Sequence, residues 1–272
     1  MAEKYNIREE RVEDEETQRL LKIPDKAIVK FKDETASKYG FKVKATEEII
    51  VSPQYDDADI FSEGLAVVEL NGKKGYINKA GKEVVPCKYN KAFDFKNGLA
   101  IVELNGKYGY INKMGKEITP CIYDDAYDFK DGFGVVKQNG KYGYIDKKGK
   151  EVIPCSYDDV WAFSEGLGIV KLNGKYGYID KKGREVIPCR YDKAFIFKGG
   201  LAIVELSGKY GYIDKTGKEI VPCKYDDAFD FKNELGLVEL NGKWGYVDKK
   251  GKEIIPCIYD DEWSFFKGKA QA

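Results

Sequence analysis

The sequence predicts an all-β fold, built as seven antiparallel β-meander repeats behind a short N-terminal helix. Three observations carry that expectation. The stretch Lys141–Cys155, KYGYIDKKGKEVIPC, recurs at Lys107–Cys121, Lys175–Cys189, Lys209–Cys223 and Lys243–Cys257, and more loosely at Lys73–Cys87. Gly75, Gly109, Gly143, Gly177, Gly211 and Gly245 keep one 34-residue step, as do the six cysteines, and a fixed period of this size marks a repeat architecture. Asn-Gly, the strongest short hairpin signal, stands at Asn71-Gly72, Asn105-Gly106, Asn139-Gly140, Asn173-Gly174 and Asn241-Gly242, with Ser207-Gly208 as the variant.

Taken in order, residues 1–26 form a leader. It is rich in Glu and Arg and carries Val12, Leu20, Leu21 and Ile23 as its apolar members. A helix there should stop before Pro24, because the residue preceding a proline avoids the α region, and it is expected to cap the first repeat. Repeats then span 27–64, 65–98, 99–132, 133–166, 167–200, 201–234 and 235–266, forming one domain over 27–266, with 267–272 as a tail. The first repeat is degenerate: it has extra residues around Asp33–Ser37 and near Thr46, and no cysteine.

Within the repeat at 99–132, Leu99–Leu104 is β-branched and apolar and reads as the first strand. Its second position is always small (Ala66, Ala100, Gly134, Gly168, Ala202, Gly236), which implies close approach of another group. Lys107–Lys113 reads as its partner, and Glu117–Thr119 as a third strand ended by Pro120, since proline cannot donate to a ladder. Tyr123-Asp124-Asp125-Ala126 and an aromatic-x-Phe close the repeat. The first Asp of that element is expected to hydrogen-bond its own turn. Seven such repeats can close into a propeller-like array, which protects strand edges. That form is expected, with an open β-solenoid, which needs terminal caps, as the alternative.

Lys plus Arg equals Asp plus Glu at 46 each, so the chain lacks the basic footprint of a nucleic-acid or anionic-membrane binder. No run of 18 apolar residues and no apolar leader segment occurs, so neither membrane insertion nor a secretory signal is expected. The six cysteines share one column, and in-phase cysteines a whole repeat apart need not approach disulfide distance. They are expected reduced and largely buried, as in a reducing cytoplasm, which is the expected location.

The chain has no histidine. That removes Ser-His-Asp and Cys-His mechanisms, His-containing zinc sites and the usual general base. Neither a Walker loop nor a dinucleotide fingerprint is present, and the paired aspartates lack EF-hand spacing. No catalytic residue, metal or cofactor is expected. The candidate ligand-binding residues are the aromatic column before the recurring glycine: Tyr108, Tyr142, Tyr176, Tyr210 and Trp244. Rigid rings at a regular interval can stack on sugars or clasp peptides; equally, they can cover the neighbouring repeat as cross-strand pairs do. Lys74 in the same column points to partial exposure.

The in-phase pattern G-K-[YW]-G-Y-[IV]-[DN]-K-x-G-K-E-[IV] over 27–266 resembles the WG-repeat (KWG) family of bacterial proteins, although Trp-Gly itself stands only at Trp244-Gly245. The resemblance implies β-repeat arrays of variable copy number that mediate binding, and it brings no catalytic residues. The expected function is a non-catalytic scaffold for a protein partner, or alternatively a glycan or cell-wall binding module using the aromatic column.

Overall fold

A computed structural model describes residues 15–261. The leader before residue 15, the final aromatic Phe265 and the tail 267–272 lie outside the described residues. One three-stranded and six four-stranded antiparallel sheets follow one another along the chain. The first is made of Ile28–Asp33, Lys38–Val43 and Ile49–Tyr55. The described residues fall into two compact units: one ends at Asn139 and includes Ile145–Lys150, and the other comprises Gly140–Tyr144 and the chain from Glu151.

The sheet at Leu99–Leu104, Lys107–Asn112 and Glu117–Tyr123 shows the design. Its first two strands pair in continuous register from Lys107↔Leu104 to Asn112↔Leu99. The turn between them has Asn105 at φ 54° and Gly106 at φ 78°, the double left-handed geometry that a two-residue hairpin needs. A fourth, short strand, Lys91–Ala92, pairs with Glu103 and Val102 on the far side. It comes from the end of the preceding 34-residue stretch, so each four-stranded sheet borrows its outer strand from the segment before it.

The third strand does not end at the proline: Glu117–Tyr123 runs straight through Pro120. Tyr110 faces Thr119 and Tyr108 faces Tyr123, so four residues on one strand are opposed to two on the other. The proline sits in this bulge, on the sheet's outer strand, where no ladder donor is required of it. The bulge folds over Gly109. A Cβ built there would lie 2.7 Å from the Pro120 carbonyl oxygen and 2.8 Å from that of Thr119. That crowding requires glycine at the second residue of the repeated Tyr-Gly pair.

Both faces of a sheet are covered. In the first unit Leu65, Val67, Tyr76, Val85 and Tyr89 of one sheet pack on Ala92, Phe95, Ala100, Val102 and Ile111 of the next. Leu167, Ile169, Tyr178, Ile187 and Tyr191 pack likewise on Phe197, Ala202, Val204 and Ile213 in the second. Two buried faces explain why the first strand reads as a nearly continuous apolar run. Each fully buried aliphatic or aromatic side chain contributes about 1.5–3 kcal/mol, which outweighs the surface ion pairs at about 0–1 kcal/mol each. The small second position is set by the invariant phenylalanine: a Cβ on Gly134 would meet the Phe129 ring at 2.7 Å, and one on Gly168 the Phe163 ring at 3.1 Å.

A helix at 15–22 lies against the first repeats, as a cap would. Leu20 is buried, Arg19 forms a two-point contact with Glu48, and the buried Lys79 ammonium pairs with Asp25 at 2.7 Å and takes the Ile23 carbonyl as a further acceptor. No helix among the described residues is long and apolar enough to cross a membrane.

Candidate functional site

The register places one position from each of the four strands of a sheet in a single cross-strand row. In the third repeat the row is Lys91, Glu103, Tyr108, Tyr123; in the fifth Asp159, Lys171, Tyr176, Tyr191; in the sixth Lys193, Glu205, Tyr210, Tyr225; in the seventh Asp227, Glu239, Trp244, Tyr259. The candidate column of Tyr108, Tyr142, Tyr176, Tyr210 and Trp244 therefore sits third in its rows, and every member is half-buried. Lys74 in that column is half-buried as well and pairs with Glu69 at 3.4 Å.

The rings of this column have neighbours of their own. Lys91 donates to the Tyr108 hydroxyl at 3.0 Å, lies 5.4 Å from the ring centroid and pairs with Glu103 at 3.5 Å. Lys193 repeats the arrangement, with the Tyr210 hydroxyl at 3.0 Å, its ring at 5.5 Å and Glu205 at 2.6 Å. The hydrogen bond from Lys193, with Tyr210 beside it, holds the Glu205 carboxyl below the usual range. Lys171 stands 5.0 Å over the Tyr176 ring, whose other neighbour is Trp161 at 5.5 Å. Trp244 packs on Phe229 at 5.8 Å. The faces of Tyr108, Tyr176 and Tyr210 are thus occupied by lysines of the same sheet.

A second aromatic column is more open. Phe93, Tyr127, Trp161, Phe195 and Phe229 are 45%, 43%, 37%, 42% and 43% exposed. Each follows the short outer strand of a sheet, and its main-chain carbonyl accepts a buried tyrosine hydroxyl of the preceding sheet: Tyr76, Tyr110, Tyr144, Tyr178 and Tyr212, at 2.6–2.8 Å. In the sequence this column reads only as part of an aromatic-x-Phe closing element. The signal that distinguishes it is that the ring varies among Phe, Tyr and Trp beside a phenylalanine that does not.

The paired acids are structural, though not as expected. The first Asp does not bond its own turn. Asp192 accepts the amide of Ser207, in the hairpin turn of its own sheet, at 2.8 Å and pairs with Lys175 of the preceding sheet; Asp56 and Asp226 do the same with Asn71 and Lys38, and with Asn241 and Lys209. The lysine and then the amide hold these carboxyls below the ordinary range. It is the second Asp whose side chain caps the amide next to it, as Asp159 does for Val160.

The six thiols are free but only half-buried, not largely buried. The bulge carries the cysteine across the bare glycine of the middle strand, where its Sγ reaches a carbonyl of the first strand, as Cys87 reaches Val68 at 3.7 Å. Burial raises the thiol pKa at five described positions, that of Cys223 to about 11.

A longer period lies over the 34-residue one. Residues 62–163 align without gaps on 164–265. Lys91, Glu103 and Tyr108 return as Lys193, Glu205 and Tyr210. The carboxylate of Glu63, which accepts the Asn97 and Gly98 amides and pairs with Lys113, returns as Glu165 with Gly199, Gly200 and Lys215. The row of the third repeat and the Glu63 contact therefore return three repeats later, while Glu69 and Lys74 become Lys171 and Tyr176, and Lys137 and Tyr142 become Glu239 and Trp244.

Among solved structures, AztD of Citrobacter koseri is similar at 12% identity and TM-score 0.39, covering 86% of this chain and 79% of its own. Hsv2 of Kluyveromyces lactis is similar at 10% identity and TM-score 0.34, covering 68% and 70%. No curated protein sequence matches the chain. The model of the WG containing repeat matches seven consecutive windows, at residues 43–73, 75–108, 108–142, 142–176, 176–210, 210–244 and 244–272. Each internal boundary falls within two residues of the glycine whose missing side chain makes room for the proline bulge, and on this match the chain belongs to the WG-repeat family.

Proposed function

We propose that the protein is a non-catalytic scaffold that binds a protein partner through the exposed aromatic column and the charged rows beside it. The observation that carries this reading is the fixation of the main chain at Phe93, Tyr127, Trp161, Phe195 and Phe229 by buried tyrosine hydroxyls, with over a third of each residue left to solvent. Large rings with few rotatable bonds, carried on a backbone that is held in place, lose little conformational entropy on binding. The flanking acids and lysines suit the polar rim of a protein interface. A glycan would need open ring faces in the column of Tyr108, Tyr176 and Tyr210, and those faces carry lysines.

The test compares capture from the source lysate by the native protein and by a Trp161→Ala/Phe195→Ala variant, alongside a polysaccharide array. A protein retained by the native chain and lost with the variant, with the array silent, supports the reading. Unchanged capture by the variant, or array binding that the variant abolishes, overturns it.

A further inference from the structure

The charged positions of the rows are compensated in every four-stranded sheet but one. Opposite charges face each other at Lys91↔Glu103, Asp125↔Lys137, Asp159↔Lys171 and Lys193↔Glu205. Asp57 and Glu69 are directly opposed like charges, yet Lys30 stands 3.8 Å from Asp57 and Lys74 stands 3.4 Å from Glu69. In the seventh repeat Asp227 faces Glu239, and Glu239 faces Trp244. Directly opposed like charges destabilise a sheet. Among the described residues neither acid has a basic partner; Asp227 accepts only the Ala228 amide.

The block alignment shows what is missing there. Positions 125, 137 and 142 of the first block are Asp, Lys and Tyr; in the second block they are Asp227, Glu239 and Trp244. The lysine has become an acid and the tyrosine a tryptophan, the best aromatic partner for a cation. Two sister repeats show the same row positions filled. Lys91 rests on Glu103 and Tyr108, and Lys193 on Glu205 and Tyr210, each ammonium supplied by the short outer strand. At 227 that strand offers an aspartate instead. The aromatic neighbour Phe229 does not close the slot, since Tyr176 carries both Trp161 and Lys171.

We infer that Asp227, Glu239 and Trp244 form a receptor for the ammonium of a lysine side chain, supplied by the protein partner in place of the lysine that other repeats supply themselves. The inference rests on the scaffold reading and adds the chemistry that one of its contacts must have. Two half-buried carboxylates and an indole supply the charge and the ring face that Lys91 and Lys193 find in their own rows.

The test is a titration of the full chain with Nα-acetyl-lysine-N-methylamide, followed at the indole N–H resonance of Trp244, which Trp244→Tyr assigns. A saturable shift in the millimolar range is expected, absent with the Nε-acetylated form and with sodium chloride at equal ionic strength. Glu239→Lys, which restores the residue of the fourth repeat and so is compatible with the fold, should weaken binding at least tenfold; Glu239→Gln should fall between. An equal shift from the neutral form, or undiminished binding by folded Glu239→Lys, overturns the receptor. Partner capture that survives Glu239→Lys but is lost with Trp161→Ala/Phe195→Ala also removes this site while leaving the scaffold reading intact.

Discussion

The hydroxyl of Tyr178 donates to the main-chain carbonyl of Phe195 at 2.8 Å, tying the middle strand of one sheet to the segment after the outer strand of the next. The ring of Tyr178 also meets Phe197 edge-on at 5.0 Å. Tyr178→Phe keeps that packing and leaves the Phe195 carbonyl without its donor. Loss of such a bond costs about 1–2 kcal/mol, so the unfolding free energy from urea titration should fall by that amount and the midpoint with it. An unchanged midpoint would show that the carbonyl finds an equal partner in water.

Gly177→Ala should be far more damaging than Gly174→Ala. A Cβ at 177 would lie 2.5 Å from the Ile187 carbonyl oxygen and 2.7 Å from the Cys189 nitrogen, both main-chain atoms that cannot swing aside. At 174 nothing lies within 4 Å and only the φ of +78° is at stake, a cost of about 1–2 kcal/mol. Thermal melts of the two variants should therefore separate by several degrees, with Gly177→Ala the lower.

Acid should loosen the clamps between sheets. Asp56, Asp192 and Asp226 have pKa values depressed by their lysine and amide partners. A depressed native pKa means that the stabilisation is fully present above the unfolded value, about 3.9, and is lost as pH falls through the native one. Stability should hold from neutrality to about pH 4 and decline below it, with a smaller decline for Asp192→Asn and at high salt. A decline already complete at pH 5 would contradict this assignment.

The thiols should react slowly in spite of their partial exposure. Burial disfavours the thiolate, as for Cys223 with its pKa near 11, and the thiolate is the reactive form. Titration with a thiol reagent at pH 7.5 should count six slow thiols that become fast in denaturant. Detection of any bridge by mass mapping would contradict the free thiols seen in the structure.

Much of this arrangement was legible in the sequence because it is local or periodic. Asn105-Gly106 announces its own turn, and the six small residues at the second strand position announce the Phe129-type ring that covers them. Pro120 misled because its strand continues through a bulge that exists only against the glycine of the neighbouring strand. Asp192 misled because its partners, Lys175 and the Ser207 amide, lie 17 residues before it and 15 after it. A second two-residue hairpin turn, as at Glu63-Gly64 between Ser62 and Leu65, escaped notice because its residues change from repeat to repeat. The exposed column of Phe93 and Trp161 was hidden for the same reason: its role follows from which ring faces solvent, and spacing does not report that.

The three-repeat block has a consequence for how such a gene can change length. The carboxylate of Glu63 reaches forward to the next turn and to Lys113, and Glu165 reaches Lys215 in the same way. Recombination that removes residues 99–132 would still leave such a glutamate a lysine, because Lys holds that position in every later repeat, but it would set Lys91 against Lys137 in place of Glu103. Removal of residues 99–200 would instead bring Lys91 against Glu205. At that junction a step of three repeats keeps the charge pair across the seam and a step of one does not, so the place where repeats are gained or lost is constrained by the row that must be closed.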